Sequence, residues 1–268
     1  MLITQITDTY ISKYKKLAQD RVDTYPRLEA TVHSLNGLSM KPDVVLITGD
    51  LADDRHTDSY KRLLVCLEPL TMPYYIIPGN HDDRGLLRYF FPNHPGMSDY
   101  PFIQYAVDDY PVRLIGIDTV IEGSDFGLLC EEKLLWLDNC LNENTEKPTL
   151  IFMHHPPFKT GIDEIDFYAL EGVGDFWRIV KKHSQIKHIL CGHLHRSIQT
   201  HFAGVPVAIV PSTAYSQVLG LGDNCDKGFV VGGPKYKLHL WMGEAIVSHV
   251  VTLEDIESPF TYPLVSAS

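Results

Sequence analysis

Five short blocks of this 268-residue chain end in side chains that bind metals. In order they are Asp8-Thr9-Tyr10, Gly49-Asp50, Gly79-Asn80-His81-Asp82, His154-His155-Pro156-Pro157 and Gly192-His193-Leu194-His195. Each follows an apolar, β-branched run, so a layered fold can bring all five to one edge. Divalent cations between the hard and borderline classes take such a mixture of carboxylate, amide and imidazole ligands. A carboxylate has two oxygens, so Asp50 can bridge two ions. The pattern points to hydrolysis at a dinuclear metal centre.

Each block also has a plainer reading, and the ordered set decides between the two. A lone Asp at a strand end is usually a turn former or helix cap. Pro78-Gly79-Asn80 alone is a turn followed by a surface histidine, but a turn does not explain why ligands recur at four other strand ends. Gly79 permits the sharp backbone turn that presents both Asn80 and His81. His193 and His195 are two residues apart, so on extended backbone both rings project to one side. Amidohydrolases carry such a pair near the first strand, and metallo-β-lactamases follow it directly with Asp and His. Here it comes late, before Arg196-Ser197, and fits neither. His33, His56, His94, His183, His188, His201, His239 and His249 lack this context and read as surface or packing residues, as do Trp136, Trp177 and Trp241.

Taken in order, the blocks resemble the calcineurin-like metallophosphoesterase superfamily, from Leu2 to about Pro211. The family pattern is Asp-x-His, Gly-Asp, Gly-Asn-His-Asp/Glu, a His before a loop, and Gly-His-x-His. This chain matches all but the first, where Tyr10 replaces His. The spacing and the His-His-Pro-Pro run look most like bacterial class III cyclic-nucleotide phosphodiesterases and glycerophosphodiesterases. The resemblance implies two divalent ions (Mn, Fe, Zn or Co). It gives the first to Asp8, residue 10, Asp50 and His195, and the second to Asp50, Asn80, His154 and His193. It also implies hydroxide held between ions about 3.5–4 Å apart as the attacking group, with His81 assisting the leaving oxygen. Asp50, Asn80 and His81 are then the catalytic set, and the reaction is cleavage of a small phosphodiester. A phosphomonoesterase with the same centre, or a non-catalytic scaffold like the retromer subunit of this fold, are the competing classes.

Three roles are open to Tyr10: a phenolate ligand, a lost ligand with a weakened first site, or a substrate contact. An engineered change at this position is a fourth account. The reach of the rigid phenol favours the weakened site. A diester needs room for its second organic group, and the loops Phe158–Asp166 and Tyr215–Asp226 can wall that space, with His81, His155, Tyr215 and Tyr10 as polar contacts.

The elements that carry these blocks follow from periodicity. Strands are predicted at Leu2–Ile6, Asp43–Thr48, Tyr74–Ile77, Phe102–Val107, Arg113–Ile117, Thr149–Met153, Ile186–Cys191, Tyr236–Trp241 and Ala245–Val251. Helices are predicted at Pro26–Leu35, Ser59–Leu67, Glu131–Leu141 and Asp175–His183. The alternation predicts an α/β domain, and fully apolar strands predict sheets covered on both faces. The family resemblance sharpens this to a four-layer α-β-β-α sandwich of two mixed sheets. Residues 1–211 form the expected phosphoesterase core. Residues 212–268 supply the last core strands and a small cap or dimerisation region continuous with it.

Composition sets the remaining bounds. A net charge of −11 opposes long nucleic acids, which need a basic patch. Five scattered cysteines, odd in number and without a Cys-x-x-Cys pair, suit reduced thiols in a cytoplasm. No apolar run reaches membrane-spanning length, and a strand begins at Leu2 with no signal-like segment before it. The expected protein is a cytoplasmic homodimer or higher homo-oligomer, off the membrane.

Overall fold

The computed structural model describes residues 1–98, 100–222 and 226–253. Cys225 and parts of the 212–268 segment and of the Tyr215–Asp226 loop therefore lie outside the described residues. Along the chain come β1 (Leu2–Ile6), α1 (Tyr25–Gly37), β2 (Val44–Thr48), α2 (Thr57–Leu67), β3 (Tyr74–Ile77) and α3 (Arg84–Phe90). The middle of the chain forms β4 (Tyr105–Val107), β5 (Arg113–Ile117), β6 (Gly127–Leu128), α4 (Glu131–Glu143), β7 (Thr149–Met153), α5 (Asp163–Asp166) and β8 (Leu170–Glu171). Then follow α6 (Val173–Lys182), β9 (Ile186–Cys191), β10 (Ile198–Phe202), β11 (Val205–Ile209), β12 (Ser216–Gln217), β13 (Phe229–Val230), β14 (Lys235–Trp241) and β15 (Ile246–Thr252).

Two mixed sheets carry the fold. The first runs β15-β14-β1-β2-β3 and the second β10-β11-β9-β7-β5-β4. In the first, β1, β2 and β3 are parallel and β14 and β15 add antiparallel beside β1; in the second, β11, β9, β7 and β5 are parallel and the two outermost pairings antiparallel. The side-chain alternation of a strand sorts β7 cleanly. Leu150 and Phe152 join the core shared with Ile6, Val45 and Ile47 of the first sheet, whereas Ile151 and Met153 face the cluster built by α4 and α6. Leu28, Val32, Leu63 and Leu67 of α1 and α2 cover the other face of the first sheet. The layers are therefore helix, sheet, sheet, helix.

Four differences from the predicted elements have physical causes. The strand expected from Phe102 begins at Tyr105, because the Ile103 N–H donates to the Asp118 carboxylate (2.9 Å) and not to a neighbouring strand. Phe102 instead lies under the Arg84 and Lys133 cations. The short helix α3 was not foreseen; Asp83 caps it by accepting from the Leu86 N–H at 2.8 Å, the signal its sequence carries. The hairpin β10-β11 was also missed, and its turn residues Ala203 and Gly204 both have positive φ, the backbone a two-residue hairpin turn demands. Helix α6 begins at Val173, two residues early, after Gly172 turns the chain at φ 83°.

Candidate metal centre

All five blocks leave the carboxyl ends of parallel strands, where α/β folds place ligands. Asp8 and Tyr10 follow β1, Asp50 follows β2, and Asn80 and His81 follow β3 in the first sheet; His154 follows β7, and His193 and His195 follow β9 in the second. Beyond β1 and β2 the backbones stay paired, Asp8 N to Gly49 O and Tyr10 N to Asp50 O, each at 3.0 Å. Those bonds hold three of the side chains in register.

Asp8, Tyr10, Asp50, His193 and His195 all have φ between 47° and 73°, the left-handed region. A residue with a Cβ held there costs about 1–3 kcal/mol and persists where the surroundings enforce it, most often at functional sites. The glycines that start two blocks have no room for more. A Cβ on Gly79 would lie 2.2 Å from the Asp50 nitrogen, and one on Gly49, at φ 90°, would lie 2.4 Å from the His154 ring.

The converging atoms are mostly acceptors. His154 donates from Nδ1 to the Thr48 carbonyl at 2.8 Å, which fixes its tautomer. Its Nε2 then faces Asn80 Oδ1 at 3.1 Å and Asp50 Oδ2 at 3.5 Å. Asn80 is turned this way because its amide nitrogen donates to Asp125 Oδ1 at 3.3 Å. With Nε2 unprotonated these are three lone-pair donors pointed at one another, and a proton or a metal cation among them is what holds the set together. The fully buried Asp8 adds an Oδ1 with no hydrogen-bond partner, as does His195 with its Nδ1. Asp8, Asp50 and His154 each offer a ligand atom within 4.8 Å of the others. The donor set fits divalent ions.

The electrostatics agree. Burial opposes charge on both Asp50 and His154, but their mutual attraction outweighs it: Asp50 is held well below the usual carboxylate range and His154 is lifted to about 9. A proton on His154 thus occupies the place of a cation, to be displaced by one. His193 goes the other way, pushed down to about 3 by burial and by His154, so its ring is neutral with a free lone pair. His81 is raised, the Asp50 carboxylate and the Asp53 carbonyl overcoming burial; its N–H donates to Asp50 Oδ1 at 2.9 Å and its Nδ1 lies 3.2 Å from the Asp53 carbonyl. Among the described residues, the other ring nitrogen has no hydrogen-bond partner.

Tyr10 is buried, and its hydroxyl donates to Asp50 Oδ2 at 2.7 Å, with His195 Nε2 at 3.2 Å. Burial, then Asp50, raises the phenol well above its ordinary value. It stands as a neutral phenol among the candidate ligands Asp8, Asp50 and His195. Tyr215 packs against it and against His195, with ring centroids 5.5 and 4.7 Å away, and its hydroxyl accepts from Gln19. His155 is fully buried; its Nε2 lies 3.2 Å from the Asp125 carbonyl and its Nδ1 2.7 Å from the Thr119 hydroxyl. Both ring nitrogens are satisfied inside the protein, so its geometry suits support of Thr119 and Asp125 better than contact with a substrate.

Asp82, the last residue of the third block, is a positioning residue that residue type alone did not single out. Its buried carboxylate accepts from Leu51 N and Ala52 N (both 3.1 Å), Gly79 N (2.9 Å) and the Tyr60 hydroxyl (3.2 Å). It ties the Asp50 turn to the Asn80 turn. Burial and the neighbouring Asp50 push it up to about 6 against those donors. Asp125, which orients Asn80, carried no signal in the sequence.

A cluster of carboxylate, amide and imidazole at the strand ends of a four-layer sandwich defines the phosphoesterase class of metal centre. The family model for calcineurin-like phosphoesterases matches residues 1–197, and the chain belongs to that family. It is 33% identical over 264 residues to a probable glycerophosphodiester phosphodiesterase of Arcobacter nitrofigilis, covering 98% of this chain and 97% of the relative. It is 31% identical over 215 residues to a 3′,5′-cyclic adenosine monophosphate phosphodiesterase of Vibrio vulnificus, covering 79% of this chain and 76% of the relative. Among solved structures, a dimetal phosphatase from Danio rerio superposes with a TM-score of 0.66 at 14% identity, over 94% of this chain and 98% of the other. That last likeness concerns the fold.

Proposed function

We propose that this protein is a metal-dependent phosphodiesterase that hydrolyses a small phosphodiester at the edge shared by the two sheets. The observation that carries the proposal is the convergence of Asn80 Oδ1 and Asp50 Oδ2 on His154 Nε2, at 3.1 and 3.5 Å, a ligand set in which a proton on His154 stands where a metal ion would. Asp8, Asp50 and His195, with Tyr10 in reserve, would hold one divalent ion; Asp50, Asn80, His154 and His193 would hold the other. Manganese, iron, zinc and cobalt all suit these ligands. The bound ions supply positive charge to the phosphoryl oxygens and water that ionises near neutral pH.

The chain's own groups do the rest. The Thr48 carbonyl and Asp125 keep His154 and Asn80 aimed. Asp82 keeps the Asp50 and Asn80 turns at a fixed separation. His81, whose charged form is favoured by Asp50 and the Asp53 carbonyl and whose ring is anchored through Nδ1, presents its second ring nitrogen to the departing oxygen. A diester carries a single negative charge, which suits a site without a dense cationic clamp.

Residues 1–211 are the catalytic core in this reading. The remainder completes the first sheet through β14 and β15 and supplies a dimerisation surface. Val247 and Val250 of β15, an outermost strand of that sheet, are 45% and 47% exposed, which supports a homodimer covering them. Among the described residues no helix is long and apolar enough to cross a membrane, and the reading is of a cytoplasmic enzyme.

The test is turnover of bis(p-nitrophenyl) phosphate against p-nitrophenyl phosphate after loading with Mn²⁺, Zn²⁺, Co²⁺ or Fe²⁺. A higher kcat/KM on the diester is expected. A higher value on the monoester would make the protein a phosphomonoesterase, and no turnover with any metal would make it a scaffold.

Tyr10→His is expected to tighten the first site and raise diesterase kcat/KM by about 10-fold, since changes around a metal typically shift affinity about 10–100-fold. It exchanges a neutral phenol for an imidazole lone pair while Asp50 keeps its His81 and His154 contacts. Calorimetric metal titration beside the assay checks this. Unchanged affinity and rate would make Tyr10 a working part of the site.

A further inference from the structure

A cleft of about 310 Å³ opens beside His193, between the Pro156-Pro157 exit of β7 and the start of α6. Its wall is chiefly apolar: Phe158, Ile165, Tyr168, Leu170, Val173 and Leu194. None of these side chains belongs to the candidate ligand set described above, and Tyr168 stays 39% exposed. The wall is braced. Asp166 accepts from Thr160 N (2.7 Å), Thr160 Oγ1 (2.8 Å) and Gly161 N (2.8 Å), closing the loop that carries Ile165 and Tyr168. The Tyr168 ring also packs on Phe126 and Phe167, with centroids 5.7 and 5.2 Å away. Lys159 on the same rim offers a positive charge to a phosphodiester monoanion.

The cleft communicates with the metal centre through His193, whose ring lies 5.0 Å from that of His154 and 4.5 Å from that of His155. His81 lies elsewhere in the cluster, its ring 4.9 Å from that of Tyr10. The leaving oxygen belongs with His81, so the cleft falls to the other ester group.

Resting on the phosphodiesterase reading, we propose that this cleft binds the ester group that stays on phosphorus, and that the preferred substrates carry a flat or compact apolar group there, an aryl group above all. Burying such a group against this wall is worth about 10-fold or more in kcat/KM. A glyceryl or methyl group would leave the wall uncovered.

Two diesters with one leaving group test this: bis(p-nitrophenyl) phosphate and methyl p-nitrophenyl phosphate. In both, a bond forms from water oxygen to phosphorus, the bond from phosphorus to the p-nitrophenolate oxygen breaks with its electron pair leaving on that oxygen, and the proton passes to buffer. Only the retained group differs. With metal-loaded enzyme, kcat/KM on the bis-aryl ester should exceed that on the methyl ester by about 10-fold or more beyond the solution reactivity difference and the twofold count of equivalent leaving groups. Ala169→Trp, which fills the cleft from its exposed side, should cut that ratio about 10-fold, and Tyr168→Ser should cut it partway. A corrected ratio near one, or a ratio that both variants leave unchanged, overturns the inference while the phosphodiesterase reading stands. Failure to hydrolyse either ester overturns both.

Discussion

Replacing Asp50 with alanine is expected to lower kcat/KM on bis(p-nitrophenyl) phosphate by about 10³-fold or more, and to strip metal from both sites together. The size follows from the several kcal/mol of charge stabilisation that a bound metal supplies, at about 1.4 kcal/mol per tenfold in rate. Asp50 is the hub of the cluster: Oδ2 takes the Tyr10 hydroxyl and faces His154, and Oδ1 accepts the His81 N–H. Alanine leaves a charged His154 buried without its counterion, so it also lowers the pH at which that imidazole holds a proton. Elemental analysis of the purified variant, beside steady-state kinetics, reads both effects. Near-normal metal content with normal turnover would remove Asp50 from the centre.

His81→Ala should lower kcat by about 10²–10⁴-fold, the usual contribution of a positioned acid or base, while leaving metal content intact. The expected split arises because His81 touches the cluster through its backbone N–H, which alanine keeps, and its ring is bonded to the Asp53 carbonyl. Its charge gives the pH sign. The folded-state value is raised, so the charged ring persists to higher pH than in a free imidazole and is lost as pH rises through that raised value. Wild-type activity should carry a falling alkaline limb from this group, and His81→Ala should lack it. A more activated leaving group, whose departure needs less help, should narrow the gap between variant and wild type. Loss of metal from His81→Ala would instead place its ring among the ligands.

Much of this arrangement could be read from the residues. β1, β5, β7 and β9 lie where their apolar, β-branched runs predicted them, because strands buried on both faces leave no ambiguity of phase. The five candidate ligand blocks were legible by residue type and by following such strands, and the fold brings them to one edge. What the sequence withheld was the set of groups that act at a distance along the chain. Asp125 reaches Asn80, and Thr119 reaches His155, across 45 and 36 positions, and no local pattern foretells such contacts. The burial of His155 and Tyr215 was hidden for a related reason: polar side chains beside a cavity read alike whether they line it or stand behind it. The unforeseen hairpin β10-β11 turns on a single glycine after an alanine, a weak punctuation mark between short strands.

The candidate ligand atoms come from two sheets that share a core but, among the described residues, no hydrogen-bonded strand pair. Asp8, Asp50 and Asn80 belong to one, and His154, His193 and His195 to the other. Any ion gripped by both sets is therefore a rivet between layers, and its free concentration enters the stability of the whole domain by mass action, since the unfolded chain offers no such cage. The rivet can be driven only after distant parts of the chain have met, so metal capture reports the last act of assembly and not the first. A chelator should then do more than silence the enzyme: it should loosen the seam along which its two halves are joined.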